Sequence, residues 1–176
     1  MRLVQIFTII AFLTVACKST IGFNKIEQHL SLQVINKGTY GVTQCDSAGY
    51  ILLDLRLINK TDSVCEFITK SCATIGNILT DPEQVEFCPI YCSSNSIIAI
   101  QINPGQDFTV PVILKFHVNI SDIDSVKFGI VLFPPELLEH MDFNEGISYL
   151  KKNRINIIWS DPIKLYALEG NPFEIR

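Results

Sequence analysis

The sequence lacks any run of lysine or arginine, and its few charges lean acidic, with 14 basic against 18 acidic side chains and a formal net charge of −4. Nucleic-acid binding needs clustered cations that displace counterions from phosphates, so no nucleic-acid partner is expected. Catalytic signatures are missing as well: there is no Gly-x-Ser-x-Gly elbow, no glycine-rich phosphate loop and no His-Glu-x-x-His. Beyond Leu13 no apolar run approaches the roughly 18 residues that a membrane-spanning helix needs. Repeats, coiled-coil heptads and low-complexity linkers are also absent, which leaves 176 residues for one ordinary domain and what precedes it.

What is present begins with the leader. Residues 3–13 are almost continuously apolar, follow Arg2 and run into the small residues Thr14-Val15-Ala16. That three-part shape is a secretory signal, too short for a permanent membrane helix. Losing Arg2 with it takes the formal charge from −4 to −5. The expected division is therefore a signal peptide at 1–16, a tether at 17–29 and a single domain at 30–176.

Ala16 directly before Cys17, with Leu13 close upstream, resembles a bacterial lipobox, in which cleavage exposes a cysteine that is then acylated. Cys17 is thus the candidate lipidation site, although Thr14 stands where leucine is usual. A membrane would then be a partner through the N-terminal lipid. Lys18 and Ser19 bring no acidic cluster of the surface-export kind, so a periplasm-facing place in the outer membrane or cell envelope is expected. An ordinary small-x-small cleavage at the same residues gives the alternative, a secreted chain.

In an oxidising compartment the other cysteines read as disulfide candidates. Cys65, Cys72, Cys88 and Cys92 crowd together and Cys45 is left as the unpaired candidate. In a straight strand Cys88 and Cys92 would lie about 13 Å apart at their Cα atoms, twice a disulfide's reach. Three connectivities of these four exist, and the one that joins Cys88 to Cys92 requires Pro89 to bend the segment into a turn. A nested hairpin joins Cys72 to Cys88 and Cys65 to Cys92; a shifted one joins Cys72 to Cys92 and Cys65 to Cys88. The spacing has no Cys-x-x-Cys knuckles, so no metal and no cofactor is expected.

Strand periodicity dominates the remainder. Residues 50–58 (YILLDLRLI) put Ile51, Leu53, Leu55 and Leu57 on one face, the pattern of a half-buried antiparallel strand. Further strands are expected at 30–35, 64–69, 97–102, 107–118, 126–133, and at 155–159 continuing into 163–168. Asn36-Lys37-Gly38, residues 59–62 and Asn103-Pro104-Gly105-Gln106 read as turns. Pro135 suits the start of a short helix and Asn144 the cap of another over 145–152. About seven strands at this spacing, with one or two short helices near 135–152, predict an all-β, immunoglobulin-like antiparallel sandwich.

Several short motifs resemble a group of small exported Bacteroidota proteins, mostly lipoproteins without an assigned activity. They are Asn59-Lys60-Thr61, Ser71-Cys72, Cys92-Ser93-Ser94-Asn95, Asn103-Pro104-Gly105, Lys127-Phe128-Gly129-Ile130 and Ile157-Ile158-Trp159-Ser160. The resemblance implies an exported sandwich and a bridge from Cys72 to Cys92, with Cys65 and Cys88 as an extra pair. Asp46-Ser47-Ala48, Asp62-Ser63-Val64 and Asp124-Ser125-Val126 resemble the Asp-Ser/Thr-aliphatic O-glycosylation motif of the same bacteria, making Ser47, Ser63 and Ser125 possible glycosylation sites. Asn59-Lys60-Thr61 and Asn119-Ile120-Ser121 match the N-glycosylation sequon, a frequent chance match. The segment from Cys45 to Gly49 is distantly similar to eukaryotic lipid-recognition sandwiches.

Nothing among the polar residues converges on a reaction. His29 carries no motif, His117 falls in an alternating strand, and His140 beside Glu136 and Glu139 fits a solvated helix face better than a metal site. Cys45 has no base nearby. Trp159 is in step with Ile155 and Ile157 and reads as core. Residues 134–153 form the longest insertion, where a partner would be sought first. The expected function is a non-enzymatic envelope lipoprotein with a binding or structural role towards a protein or small molecule. A secreted inhibitor or small-ligand or lipid binder is the first alternative, and an enzyme with an unrecognised site the second.

Overall fold

The computed structural model describes residues 29–40, 48–72, 74–83, 85–88, 95–117 and 125–164. Its strands, in chain order, are β1 (Leu30–Tyr40), β2 (Ala48–Asn59), β3 (Cys65–Lys70), β4 (Ile78–Asp81), β5 (Glu86–Phe87), β6 (Ile97–Ile102), β7 (Asp107–His117), β8 (Ser125–Val131), β9 (Ile157–Trp159) and β10 (Ile163–Lys164). A single α-helix, α1 (Phe143–Asn153), lies between β8 and β9. All ladders between strands are antiparallel.

One sheet has the order β1-β2-β7-β5, a second places β8 between β4 on one side and β9 and β10 on the other, and a third is the two-stranded pair β3-β6. With β1, β2, β4, β5, β7, β8 and the β9–β10 pair lettered A to G, the first two orders are A-B-E-D and C-F-G, those of a constant-type immunoglobulin sandwich, to which β3 and β6 are an addition. The expected fold is the observed one.

The alternation in β2 is what builds the inter-sheet core. Ile51, Leu53, Leu55 and Leu57 are buried and sit opposite Leu114, Val112, Val110 and Phe108 of β7. Burying each of those four β2 side chains contributes about 1.5–3 kcal/mol. From the facing sheet Val126, Phe128 and Ile130 of β8 and Ile158 of β9 point into the same cluster. A parallel bridge between Leu32 and Ser160 ties β1 to the far sheet and closes that flank of the sandwich. On the opposite flank β4 and β5 are the end strands of the first two sheets, and no bridge joins them among the described residues.

Three local expectations are corrected. Asn36-Lys37-Gly38 is a bulge within β1 rather than a turn: the register slips between Asn36 and Gly38, and Gly38, at φ 142°, absorbs the extra residue. The strand expected at 126–133 stops pairing with β4 and β9 at Val131, and its end is taken up by a bridge from Phe133 to Ile68 of β3. Residues 134–153 hold the two short helices expected there, and only the cap of the second differs. They form a 3-10 turn at Pro135–Glu139 and then α1, capped by Asp142, whose Oδ1 accepts from the Asn144 and Glu145 N–H groups. Asn144 is thus inside the helix, and its side chain instead accepts from Lys70 Nζ at 2.8 Å.

The helix covers the outer face of the second sheet. Residues of β8 and β9 that point away from the inter-sheet core, Val131 and Ile157, join Phe133, Phe143, Ile147 and Leu150 in a second apolar cluster. Contact there is close enough that a Cβ at Gly146 would overlap the Phe133 ring. Gly→Ala inside a helix ordinarily stabilises by about 1 kcal/mol. Here Gly146→Ala is expected to destabilise by about 1–3 kcal/mol, because the fully buried Phe133 packs on Phe143 and has nowhere to move. Urea denaturation of the two proteins checks the sign.

Candidate functional site

The open flank holds a cleft of about 360 Å³ lined by Ile78, Leu79 and Thr80 of β4, Glu83 and Val85 of the connection that follows, Phe87 of β5, and Lys151 and Lys152 from the last turn of α1. Its position follows from the topology. The two sheets end in short strands on this side, and no backbone bridge joins β4 to β5 among the described residues. Phe87 pairs with Leu114 at the sheet edge, while its ring lies 6.4 Å from that of Phe128 in the core. The floor of the cleft is therefore continuous with the inter-sheet core.

The back wall depends on Gly129. A Cβ there would fall 2.7 Å from Ile157 Cγ2, 2.9 Å from Leu79 Cδ2 and 3.1 Å from Trp159 Cε3, so only glycine lets the side chains of β4 and β9 close over β8. Leu79 thereby links the cleft to Trp159. That tryptophan is half-buried and packs against the second cluster, with the Arg154 guanidinium 5.3 Å from its ring. Arg154 also pairs with Asp81 at 3.2 Å, holding the end of β4 against the end of the helix.

Polar groups around the cleft are few. Thr80 Oγ1 lies 3.4 Å from the Val85 carbonyl, and Lys151 Nζ donates to the Ile78 carbonyl at 2.7 Å. Burial pushes the Lys151 pKa below that of an ordinary lysine. Contrary to the expectation that no Ser-x-x-Lys occurs, Ser148 and Lys151 have that spacing on α1. Ser148 is exposed, Lys151 is turned towards β4, and no hydrogen bond joins them. The lining offers apolar surface, two ammonium groups and one carboxylate, a set suited to holding a molecule.

The residues singled out in the sequence lie elsewhere. Cys65 is buried opposite Ile102 in the inter-sheet core as a free thiol, with its pKa raised by burial. The structure does not bring it to Cys88, which follows β5 and donates its N–H to the Ile113 carbonyl. The extra pair is thus not formed, because Cys65 faces inward from β3 while Cys88 runs along the edge of the first sheet. Cys72 is half-buried just beyond β3. Cys92 lies outside the described residues, and the Cys72–Cys92 bridge with it, as do Cys17, Cys45, Ser47 and Asn119.

Ser63 is exposed in the turn after β2, and Ser125 is half-buried opposite Lys164 at the start of β8. Asn59 of the first sequon is fully buried, with both amide hydrogens bonded to carbonyls of Ser63 and Ile102, so its nitrogen is not available in the folded chain. His140, Glu136 and Glu139 are exposed, and no group of three metal-ligating side chains occurs among the described residues. Backbone pairing places His117 opposite Ala48 at the end of β7. No helix among the described residues is long and apolar enough to cross a membrane.

Fold and cleft together define a constant-type β-sandwich with one flank open and one outer face covered by a helix. No protein-family model matches the chain, and a search of curated proteins finds no match. Among solved structures, a FixG-related protein from Vibrio parahaemolyticus aligns over 77% of this chain and 95% of its own, at 15% identity and a TM-score of 0.36.

Proposed function

We propose that this chain is an exported, non-enzymatic binding module, held in the cell envelope by a lipid on Cys17, whose ligand site is the cleft between β4 and β5. The observation that carries the binding role is that cleft: an apolar hollow of about 360 Å³, within the range of small-molecule sites, at the one flank where the sheets part. Export and anchoring are supported by the apolar leader, by Ala16-Cys17 and by the resemblance to small envelope lipoproteins. The non-enzymatic reading draws support from the lining, in which no nucleophile is hydrogen-bonded to a base.

The anchoring half is tested by expressing the full chain in an export-competent bacterium fed an alkyne fatty acid. The unmodified protein should fractionate with membranes and carry the label, and Cys17→Ser should do neither. An unlabelled native chain in the soluble periplasmic fraction or the medium would replace the anchored reading with the secreted one. The same preparation, digested without reduction, shows by mass whether the Cys72 and Cys92 peptides are joined.

A further inference from the structure

Lys151 supplies the chemistry that an apolar hollow lacks. An ammonium has three N–H donors and accepts nothing. Its contact with the Ile78 carbonyl uses one, and the other two have no protein acceptor among the described residues. Counter-charge is missing too. Lys151 has no ion pair among the described residues, unlike Lys37 with Asp54, Arg56 with Asp107 and Arg154 with Asp81. A partly buried cation without an anion is unfavourable, and either proton loss or an incoming anion relieves it.

The remaining charges set the size of that anion's charge. Lys151, Lys152 and Glu83 together give the cleft one net positive charge, which a monoanion balances and a dianion exceeds. Ile78, Leu79, Val85 and Phe87 supply the apolar part of the lining, and the one hydroxyl there, that of Thr80, is turned to the Val85 carbonyl. We infer that the cleft takes a small amphiphilic monocarboxylate, its head on the two open donors of Lys151 with Lys152 at the rim and its apolar body against Leu79, Val85 and Phe87. This inference rests on the reading of the cleft as the binding site.

Octanoate and its neutral counterpart 1-octanol separate the two. Each is titrated into the full chain carrying Cys17→Ser, with heat and the fluorescence of Trp159, the single tryptophan, as readouts. Octanoate should bind saturably and at least about tenfold more tightly than octanol, the margin of a charge-assisted hydrogen bond. Lys151→Met, which keeps an unbranched apolar stem, should bring octanoate down to the affinity of octanol and leave octanol unchanged. Equal binding of the two ligands, or octanoate binding that survives Lys151→Met, would overturn the carboxylate while leaving a binding cleft. Binding of neither would overturn the cleft reading as well. Should Lys151→Met fail to fold, the side-chain 13Cε resonance of Lys151 in the unsubstituted residue decides: it should move with octanoate and not with octanol, and a signal static under both overturns the inference.

Discussion

Replacing Asn59 with alanine is expected to lower the free energy of unfolding by about 3–4 kcal/mol, a large loss for one polar side chain. Asn59 ends β2 and is 0% exposed. Its Nδ2 donates to the carbonyls of Ser63 and Ile102, each at 2.8 Å, and its Oδ1 accepts from the Thr61 N–H at 3.0 Å with Thr61 Oγ1 2.7 Å away. The backbone of the same residue donates to the Gln106 carbonyl and accepts from the Gly105 N–H. One residue therefore joins the turn after β2, the end of β6 and the turn into β7. Alanine takes the acceptor from the Thr61 N–H and the buried donor from the Ile102 carbonyl, each costing about 1–3 kcal/mol less whatever water recovers near the surface, while the Ser63 carbonyl keeps Thr61 Oγ1 at 2.7 Å. Asn59→Asp isolates the donor role, since a carboxylate facing the Ser63 and Ile102 carbonyls supplies no hydrogen for them. Urea melts should show Asp no better than Ala; an aspartate variant as stable as the parent would remove the donor argument.

Asn77→Ala should cost about 3 kcal/mol for a related reason. Between β3, which pairs with β6 in a separate sheet, and β4, which pairs with β8, the chain breaks into a 3-10 turn at Thr74–Asn77. At the break β8 leaves β4, its last pair there being Ile130 with Ile78, and Phe133 is bridged to Ile68 of β3. Asn77 fills the gap with its side chain: Nδ2 donates to the Ile68 and Val131 carbonyls at 3.0 Å each, and Oδ1 accepts from Thr69 Oγ1 at 3.0 Å. Both Asn77 and Thr69 are 0% exposed. Besides the global loss, hydrogen exchange at the Ile68 N–H, which donates to Phe133, should accelerate in the variant. Thr69→Val removes one of these bonds with little change of shape. In a double-mutant cycle it should therefore be less than additive with Asn77→Ala.

Several motifs behind the resemblance to envelope lipoproteins fall on such joints. Asn59-Lys60-Thr61 is the buried amide just described, and Asn103-Pro104-Gly105 forms the turn that it holds. Ser160, after Ile157-Ile158-Trp159, donates its N–H to the Phe128 carbonyl and accepts the Phe128 N–H on Oγ, carrying the edge of β8 across the gap between β9 and β10. Gly129, within Lys127-Phe128-Gly129-Ile130, is the close approach behind the cleft. These residues therefore serve the architecture, and no described residue of the motifs lines the cleft.

The sequence by itself determined the class of fold, because a half-buried antiparallel strand writes its burial into every second residue. The alternation in 50–58 named four core side chains, and 97–102 was bounded as observed. Asn103 to Gln106 likewise announced the turn before β7. Strands β4 and β5, at four and two residues, are too short to show a period, so nothing along the chain announced the open flank. Asn59 looked like a turn residue and a sequon, and nothing along the chain set Lys151 apart from other helical lysines, since one-dimensional context assigns polar residues to the surface. Only tertiary structure decided otherwise. The carbonyls of Ile102 and Ile68 that receive the two asparagines lie 43 and 9 residues away in the chain, and the Ile78 carbonyl that receives Lys151 lies 73 away. Burial and counter-charge are properties of those distant neighbours, and they are set when the two sheets and the helix close on one another.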